Sequence, residues 1–224
     1  RMSVQLVLAG FILVYIFDSQ RVIWTILYLV VMLGFAVGRI LHLNKDLNIS
    51  FKIAITLSLV IANVFVVLFF LVVVVQTEAL NPQYVIPISG MIVGNAMTGI
   101  TLGIKTFKEN VRTQKDQVTT LLNLGVKPQK ILLPFANGAM ESAILPTINS
   151  MLGMGIIFLP GMMTGQILSG TSPNLAILYQ IAIMIAICAT VCISVFGALH
   201  FGYKTLYNKQ AQLLISFTEK KVSS

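Results

Sequence analysis

Six long apolar segments constrain this chain more than any other feature of its sequence. They are residues 2–17, 22–38, 53–75, 85–104, 131–159 and 175–201. A helix needs about 20 consecutive apolar residues to cross the hydrocarbon core of a bilayer. Only 10% of the residues are charged, whereas a typical soluble domain has about 25%. The pattern predicts an all-α polytopic membrane protein, with six transmembrane helices in one transmembrane domain over residues 1–224.

The basic residues test this layout, because cytoplasmic loops of membrane proteins accumulate Lys and Arg. Six crossings that start from Arg1 place residues 39–52, 105–130 and 204–224 on the same side as Arg1. Fourteen of the fifteen basic residues then lie on that side, and only Arg21 lies on the other. The sequence therefore predicts that these loops and the C-terminus are cytoplasmic. The spans also explain the net charge of +8, so no nucleic-acid partner is expected.

Pairs of glycines four residues apart recur in or beside the apolar segments. They are Gly34/Gly38, Gly90/Gly94, Gly99/Gly103 and Gly161/Gly165. In lipid, such pairs allow the backbones of two helices to approach closely. We expect tight helix packing at these positions, either within the chain or across a dimer.

Catalysis and nucleotide binding have little support in the sequence. The nearest approach to a phosphate-binding loop runs from Gly197 to Thr205, but Tyr203 separates Gly202 from the following lysine. This stretch also ends an apolar segment, whereas a phosphate loop joins a strand to a helix N-terminus. No nucleophile elbow, zinc-protease motif or pair of membrane carboxylates is present. We predict that the chain is not an enzyme and binds no cofactor itself, so active transport would need a separate ATPase or an ion gradient.

Candidate metal ligands are few. Met162 and Met163 follow Met151 and Met154 near the end of the fifth segment, and thioether sulfur suits soft metals. Met is also a routine filler of gaps in protein interiors, so packing is the competing interpretation. His42 and His200 lie at predicted membrane edges, where a single histidine is more often an interfacial polar residue. Cys188 and Cys192 share one helix face and are interpreted as packing residues.

Polar residues inside the apolar segments are candidates for a transport pathway, since such groups are costly in a membrane. Among them we single out Asn63, Asn95, Glu141 and Asn149. Glu141 is the only carboxylate in the six segments, which makes it a candidate metal ligand. In a second interpretation, residues 131–140 lie along the membrane surface and place Glu141 among the headgroups. Pro146 and Pro160 are expected to kink or break the fifth helix.

The stretch at residues 105–130 interrupts the apolar pattern and holds six of the fifteen basic residues. It predicts a polar, basic helix that passes into LLNLG, a break at residues 125–128, and a second helix after the break. Gly125 is suited to end the first helix in a left-handed conformation, and Pro128 is suited to open the next one. From the residues alone, a solvated loop that only fixes topology and a contact surface for a partner are equally supported.

Four motifs in order along the chain resemble the FetB/YbbM family of ABC-transporter permeases, which includes plant aluminium-sensitivity permeases. They are VIPISGMIVGNAM at residues 85–97, LGVKP at 124–128, LPTINS at 145–150 and LPGMMTG at 159–165. The first motif contains Asn95 and Met97, and the third contains Asn149, so these three residues are possible pathway positions. Family members usually have seven spans, and the alignment of the motifs suggests that this chain starts at the second. Where family members can carry a basic residue, this chain has Glu141.

The resemblance implies a permease that dimerises and works with two copies of a FetA/YbbL-like ATP-binding subunit, which would bind ATP and Mg. It also implies iron export and a place in the plasma (inner) membrane. Permeases of this class present a coupling helix to a groove in the ATPase. Within residues 105–130, the expected coupling residues are Leu121, Leu122, Leu124, Gly125 and Pro128. The alternatives are a carrier that works alone on an ion gradient and a membrane scaffold that transports nothing.

Overall fold

The computed structural model describes residues 2–19, 21–75 and 81–207, and within these ranges the chain is helical with no strand. The helices are α1 (Met2–Ser19), α2 (Val22–Leu43), α3 (Ile49–Phe70), α4 (Pro82–Thr113), α5 (Lys115–Asn123), α6 (Pro128–Gly153), α7 (Gly161–Leu168) and α8 (Pro173–Tyr203). A π-helical turn, Leu71–Val75, continues α3. Six of the described helices are long and apolar enough to cross a membrane. The predicted all-α polytopic fold is confirmed.

Local signals explain where the long helices begin. Asn48 caps α3 by accepting a hydrogen bond from the Phe51 amide at 2.8 Å. Asn81 caps α4 in the same way, through the amide of Gln83 at 3.0 Å. Each side chain satisfies one of the amide groups that lack a partner at a helix start. Prolines open α4, α6 and α8, in the first turn, where a missing amide hydrogen removes no hydrogen bond of the helix.

Helices α4 and α8 form the centre of the bundle. Helix α4 packs against α2, α3, α6 and α8, and α8 also packs against α3, α6 and α7. Helix α1 lies at the edge, where Ile16 is its one buried residue among those described. The apolar side chains that α1 exposes therefore face lipid or a partner.

A close approach of α4 to α6 and α8 depends on one of the predicted glycine pairs. A Cβ atom on Gly99 would lie 2.9 Å from a methyl carbon of Val191, and one on Gly103 would lie 3.2 Å from Cβ of Ala143. The expectation of tight packing is confirmed for this pair. By contrast, Cβ atoms at the glycines of α7 and at Gly34, Gly38 and Gly94 would meet no described atom within 4 Å.

Most of the described basic residues lie at one end of the bundle, called here the basic end. It comprises the α2–α3 connection, the segment from Lys105 to Lys130, and the end of α8. Asn48 donates from its side-chain amide to the carbonyl of Thr205, which ties the start of α3 to the end of α8. Lys108 on α4 pairs with Asp46 in the α2–α3 connection, with 2.6 Å between nitrogen and oxygen. These two contacts hold the connections at the basic end against the bundle.

The connection between α6 and α8 differs from the prediction. The fifth apolar segment was expected to continue to residue 159, but α6 ends at Gly153. Pro146 lies inside α6, whereas Pro160 precedes α7 and interrupts no helix. Beyond Pro160, Gly161–Leu168 forms the short helix α7. Helix α7 has eight residues and is about 12 Å long, so it is too short to cross a bilayer.

Candidate functional site

Helix α4 carries exposed polar side chains in the middle of a long apolar helix. Asn95 and Thr98 are three residues apart and therefore share one face, and both are exposed. Each side chain forms a hydrogen bond within its own helix. Asn95 donates to the carbonyl of Met91 at 2.8 Å, and Thr98 donates to that of Gly94 at 2.9 Å. The side-chain carbonyl of Asn95 still presents an acceptor on the outside of the bundle. We call these two residues the α4 polar strip.

Helix α6 also carries exposed polar side chains on one face. Asn137 and Glu141 are four residues apart on one face, and both are exposed. The opposite face of α6 buries Leu132, Ala136 and Ala139 in the core. We call Asn137 and Glu141 the α6 polar strip.

The position of α6 corrects one sequence interpretation. Residues 131–140 do not form a separate surface helix, because they belong to the continuous helix Pro128–Gly153 and pack into the bundle. Glu141 is the fourteenth of the 26 residues of α6, about 20 Å along the helix axis from its start at the basic end. Its role in a pathway stays a prediction.

The two polar strips lie on neighbouring helices, since α4 and α6 pack against each other. A carboxylate or an amide that faces lipid is costly, and such groups in membrane proteins usually face a bundle interior or a water-filled cavity. In this chain both strips point outward from the fold. A second subunit or a water-filled space beside these faces would give the exposed amide and carboxylate groups polar surroundings.

Sequence reasoning located part of this site. Asn95 and Glu141 were predicted and lie on the polar strips. Asn149 is exposed on α6, two turns beyond Glu141. Met97 is half-buried and packs against the core, so it does not lie on the exposed face with Asn95. Thr98 and Asn137 were missed, although their spacings from Asn95 and Glu141 could have identified them.

The candidate metal ligands are not brought together. Met163 lines a cavity beside α8, Met162 packs against the core, and Glu141 lies on the outer face of α6. Among the described residues, no three His, Cys, Asp or Glu side chains lie close enough to hold a metal ion. Cys188 and Cys192 are free thiols. Metal binding at the methionines or Glu141 stays a prediction.

The predicted break after the short basic helix is present. Helix α5 ends at Asn123, and Gly125 adopts a left-handed conformation with φ of 79°. The Gly125 amide donates to the carbonyl of Leu122 at 2.9 Å, and the Val126 amide donates to that of Leu121 at 3.0 Å. This pair of bonds is the Schellman motif, for which glycine is favoured because it has no Cβ. Helix α6 then opens at Pro128, as the sequence predicted.

The predicted coupling leucines differ in their exposure. Leu121 and Leu122 are half-buried, while Leu124 is 73% exposed at the tip of the α5–α6 turn. Val118 is the residue that α5 buries against the rest of the fold. Leu124 is therefore the predicted coupling leucine that is most available to a partner.

The six long apolar helices define an integral membrane protein. The family described as "Uncharacterised protein family (UPF0014)" matches residues 1–207. The chain belongs to this family of membrane proteins, which confirms the resemblance to FetB-like permeases and to plant aluminium-sensitivity proteins.

Three relatives illustrate the match. The chain is 32% identical to the "Probable iron export permease protein FetB" of Escherichia coli (strain K12), over 99% of this chain and 84% of the relative. It is 30% identical to the "UPF0014 membrane protein YjkA" of Bacillus subtilis (strain 168), over 95% and 84%. It is 31% identical to the "Protein ALUMINUM SENSITIVE 3" of Arabidopsis thaliana, over 95% and 77%. No solved structure matches this chain.

Proposed function

We propose that this chain is the membrane-spanning permease subunit of an ABC transporter, and that it exports metal ions with energy from a separate ATP-binding subunit. Two copies would form the membrane part of the transporter, with the basic end in the cytoplasm of a cell whose plasma membrane holds the complex. Iron is the proposed cargo. That choice is supported by the name of the Escherichia coli relative, a probable iron export permease.

The outward polar strips are the observation that carries the proposal. A monomer in lipid would leave Asn95, Thr98, Asn137 and Glu141 on its outer surface. A permease dimer that closes around a hydrated pathway would instead place these groups against water and cargo. Carboxylate and amide oxygens are suitable ligands for hard and borderline metal ions. Alternating access between two copies would then expose them to one side of the membrane and then to the other.

The α5–α6 turn supports the proposed contact with a separate ATP-binding subunit. A short helix that ends in an exposed apolar residue at the basic end suits docking in a groove of a cytoplasmic protein. Leu124 supplies the apolar contact, and the surrounding side chains of Asn123 and Lys127 are polar and exposed. Such a mixture of one apolar anchor and a polar rim is typical of a docking contact.

Efflux of iron from reconstituted vesicles tests the proposal. The chain is purified with the ATP-binding protein that accompanies it, and Fe²⁺ movement is followed with and without ATP. We expect ATP-dependent transport, and we expect Glu141→Gln to slow it about tenfold, the effect of losing roughly 1.4 kcal/mol of stabilisation along the pathway. The matched control is Glu109→Gln, because Glu109 is also exposed but lies in the basic, polar part of α4.

Each other outcome counts against a defined part of the proposal. Transport that continues without ATP or a second protein would favour the carrier that works alone on a gradient. An absence of flux for iron, copper and zinc from a complex that hydrolyses ATP would reject the metal cargo. Equal slowing by Glu141→Gln and Glu109→Gln would reject the α6 polar strip as part of the pathway.

Cross-linking tests the proposed dimer. In a variant in which alanine replaces Cys188 and Cys192, we expect Thr98→Cys to form a cross-linked dimer in membranes under mild oxidation. The control is Phe65→Cys, because Phe65 is exposed on the apolar outer face of α3. Dimer bands on non-reducing gels should appear for Thr98→Cys and not for Phe65→Cys. The opposite pattern would place the α4 polar strip away from the dimer contact.

A further inference from the structure

The chain around the end of α6 exposes a run of large apolar side chains. Ile156 and Ile157 are 89% and 82% exposed, and Leu152 and Leu159 are 73% and 57% exposed. We call these four residues the apolar tip. It lies at the end of the bundle opposite the basic end, where α6 ends and α7 has not yet begun. Exposed apolar patches mark contacts with another protein or with a membrane.

Backbone hydrogen bonds close the turn that carries the two isoleucines. Gly155 has a left-handed conformation with φ of 81°, and its amide donates to the carbonyl of Phe158 at 2.9 Å. The amide of Ile157 donates to the carbonyl of Gly153, also at 2.9 Å. Backbone groups that enter a bilayer need partners of this internal kind, because lipid supplies none. The turn therefore presents Ile156 and Ile157 with part of its polar backbone already satisfied.

The connection from α6 to α8 carries no charged residue. Residues 142–203 contain no Asp, Glu, Lys or Arg. Soluble domains are about 25% charged, so a water-exposed stretch as long as residues 154–172 would carry about five charges. The short α1–α2 turn lies at the same end of the bundle and contains Asp18 and Arg21, both exposed. The composition of the α6–α8 connection is therefore unlike that of an aqueous loop.

The lengths of α6 and α8 place the tip near a membrane surface. Helix α6 starts at the basic end and α8 ends there. With 26 and 31 residues, they are about 39 and 46 Å long, whereas the hydrocarbon core of a bilayer is about 30 Å thick. The connection between them consequently lies where both helices leave the bilayer, at the level of the lipid headgroups.

A lipid surface fits the tip better than a protein partner does. Protein contacts usually surround their apolar anchors with a polar rim, as Asn123 and Lys127 do beside Leu124. The tip has no charged residue in its own connection to form such a rim. The boundary between headgroups and acyl chains accepts apolar side chains without a matched set of polar partners.

We propose that the apolar tip inserts into the headgroup–acyl boundary of the leaflet opposite the basic end, with Ile156 and Ile157 in contact with lipid. The partner is the lipid surface itself. Because the connection is uncharged, insertion depends on burial of apolar area and not on the charge of the headgroups. The tip anchors the α6–α8 connection at the membrane surface, away from the polar strips and the α5–α6 turn.

The depth of a spin label tests the proposal. Alanine replaces Cys188 and Cys192, Ile157→Cys carries a nitroxide, and the full chain is placed in phosphatidylcholine bilayers. Collisions of the nitroxide with oxygen, which concentrates in lipid, and with a water-soluble nickel chelate give its depth. We expect about 5–10 Å below the phosphates, and the same depth when phosphatidylglycerol is added. The matched control is Arg21→Cys, an exposed position at the same end, whose label should lie at or above the phosphates.

Two results would overturn the proposal. A label at residue 157 that collides mainly with the nickel chelate would place the tip in water. A label that meets neither oxygen nor nickel would show that protein, such as a second copy of the chain, covers the tip.

Tryptophan fluorescence provides a second measurement that needs no bulky label. The single tryptophan of the chain is removed by Trp24→Phe, and Ile157→Trp is introduced. Lipids brominated high on the acyl chain should quench this fluorescence more strongly than lipids brominated at the chain end. An absence of quenching by both lipids, or stronger quenching from the chain end, would contradict insertion at the headgroup–acyl boundary.

Discussion

Replacing Gly202 with alanine is expected to lower the free energy of unfolding by about 1–3 kcal/mol, the usual cost of overpacking a core. A Cβ atom at this position would lie 2.5 Å from one ring carbon of Phe51 and 2.6 Å from another. Phe51 is fully buried, with 0% of its surface exposed. Because the ring is buried, it could move aside only by displacing its neighbours in the core, or α8 and α3 would have to separate. This contact lies beside the Asn48–Thr205 hydrogen bonds, so the basic end should loosen as well.

Gly138→Ala is the matched control for this substitution. Gly138 lies inside α6, and a Cβ atom there would meet no described atom within 4 Å. Alanine is favoured over glycine in a helix interior by about 1 kcal/mol, so this variant should be as stable as the unmodified chain or more stable. Unfolding in mixed detergent micelles, followed by the fluorescence of the single tryptophan, measures both. Equal stability of the two variants would contradict the tight α3–α8 contact.

The spans could be predicted from the sequence because their determinant is local. A helix in lipid must satisfy its own backbone, so a long apolar run is nearly sufficient evidence for a span. The basic residues then indicate which loops are cytoplasmic. The helix ends are less predictable, because they depend on caps and on contacts beyond the apolar run. Helix α4 continues well past the apolar segment to Thr113 because Phe107 and Val111 are buried against the bundle.

The candidate sites were harder to predict because they depend on which face of each helix is covered. Asn63 and Asn95 look alike in the sequence, as single asparagines in apolar segments. In the fold, Asn63 is buried on α3 and Asn95 is exposed on α4. Nothing in the sequence near Met163 indicates a cavity, since the wall combines residues from the α6–α7 connection, α7 and α8. These differences arise from tertiary packing, which periodicity alone does not specify.

Replacing Leu124 with aspartate is expected to uncouple the permease from its ATP-binding partner. Leu124 is 73% exposed at the tip of the α5–α6 turn, so a charge there leaves the fold intact. In a docked complex the same charge would be buried in an apolar groove. Loss of one apolar anchor at a contact of this kind costs more than about 1 kcal/mol, so the partner should bind at least fivefold more weakly. ATP-driven efflux and the amount of ATPase that co-purifies measure the effect.

Leu168→Asp is the matched control, because Leu168 is also a strongly exposed leucine, on α7 at the opposite end of the helical bundle. It should transport normally. Gly125→Pro provides a second test of the same turn: proline cannot adopt the observed φ of 79° and has no amide to donate to Leu122. Normal transport and normal ATPase recovery in both Leu124→Asp and Gly125→Pro would show that this turn is not the coupling contact. Because the basic charges at residues 105–115 are explained by topology alone, the coupling proposal depends on this turn, where an exposed leucine and a left-handed glycine present a fixed surface.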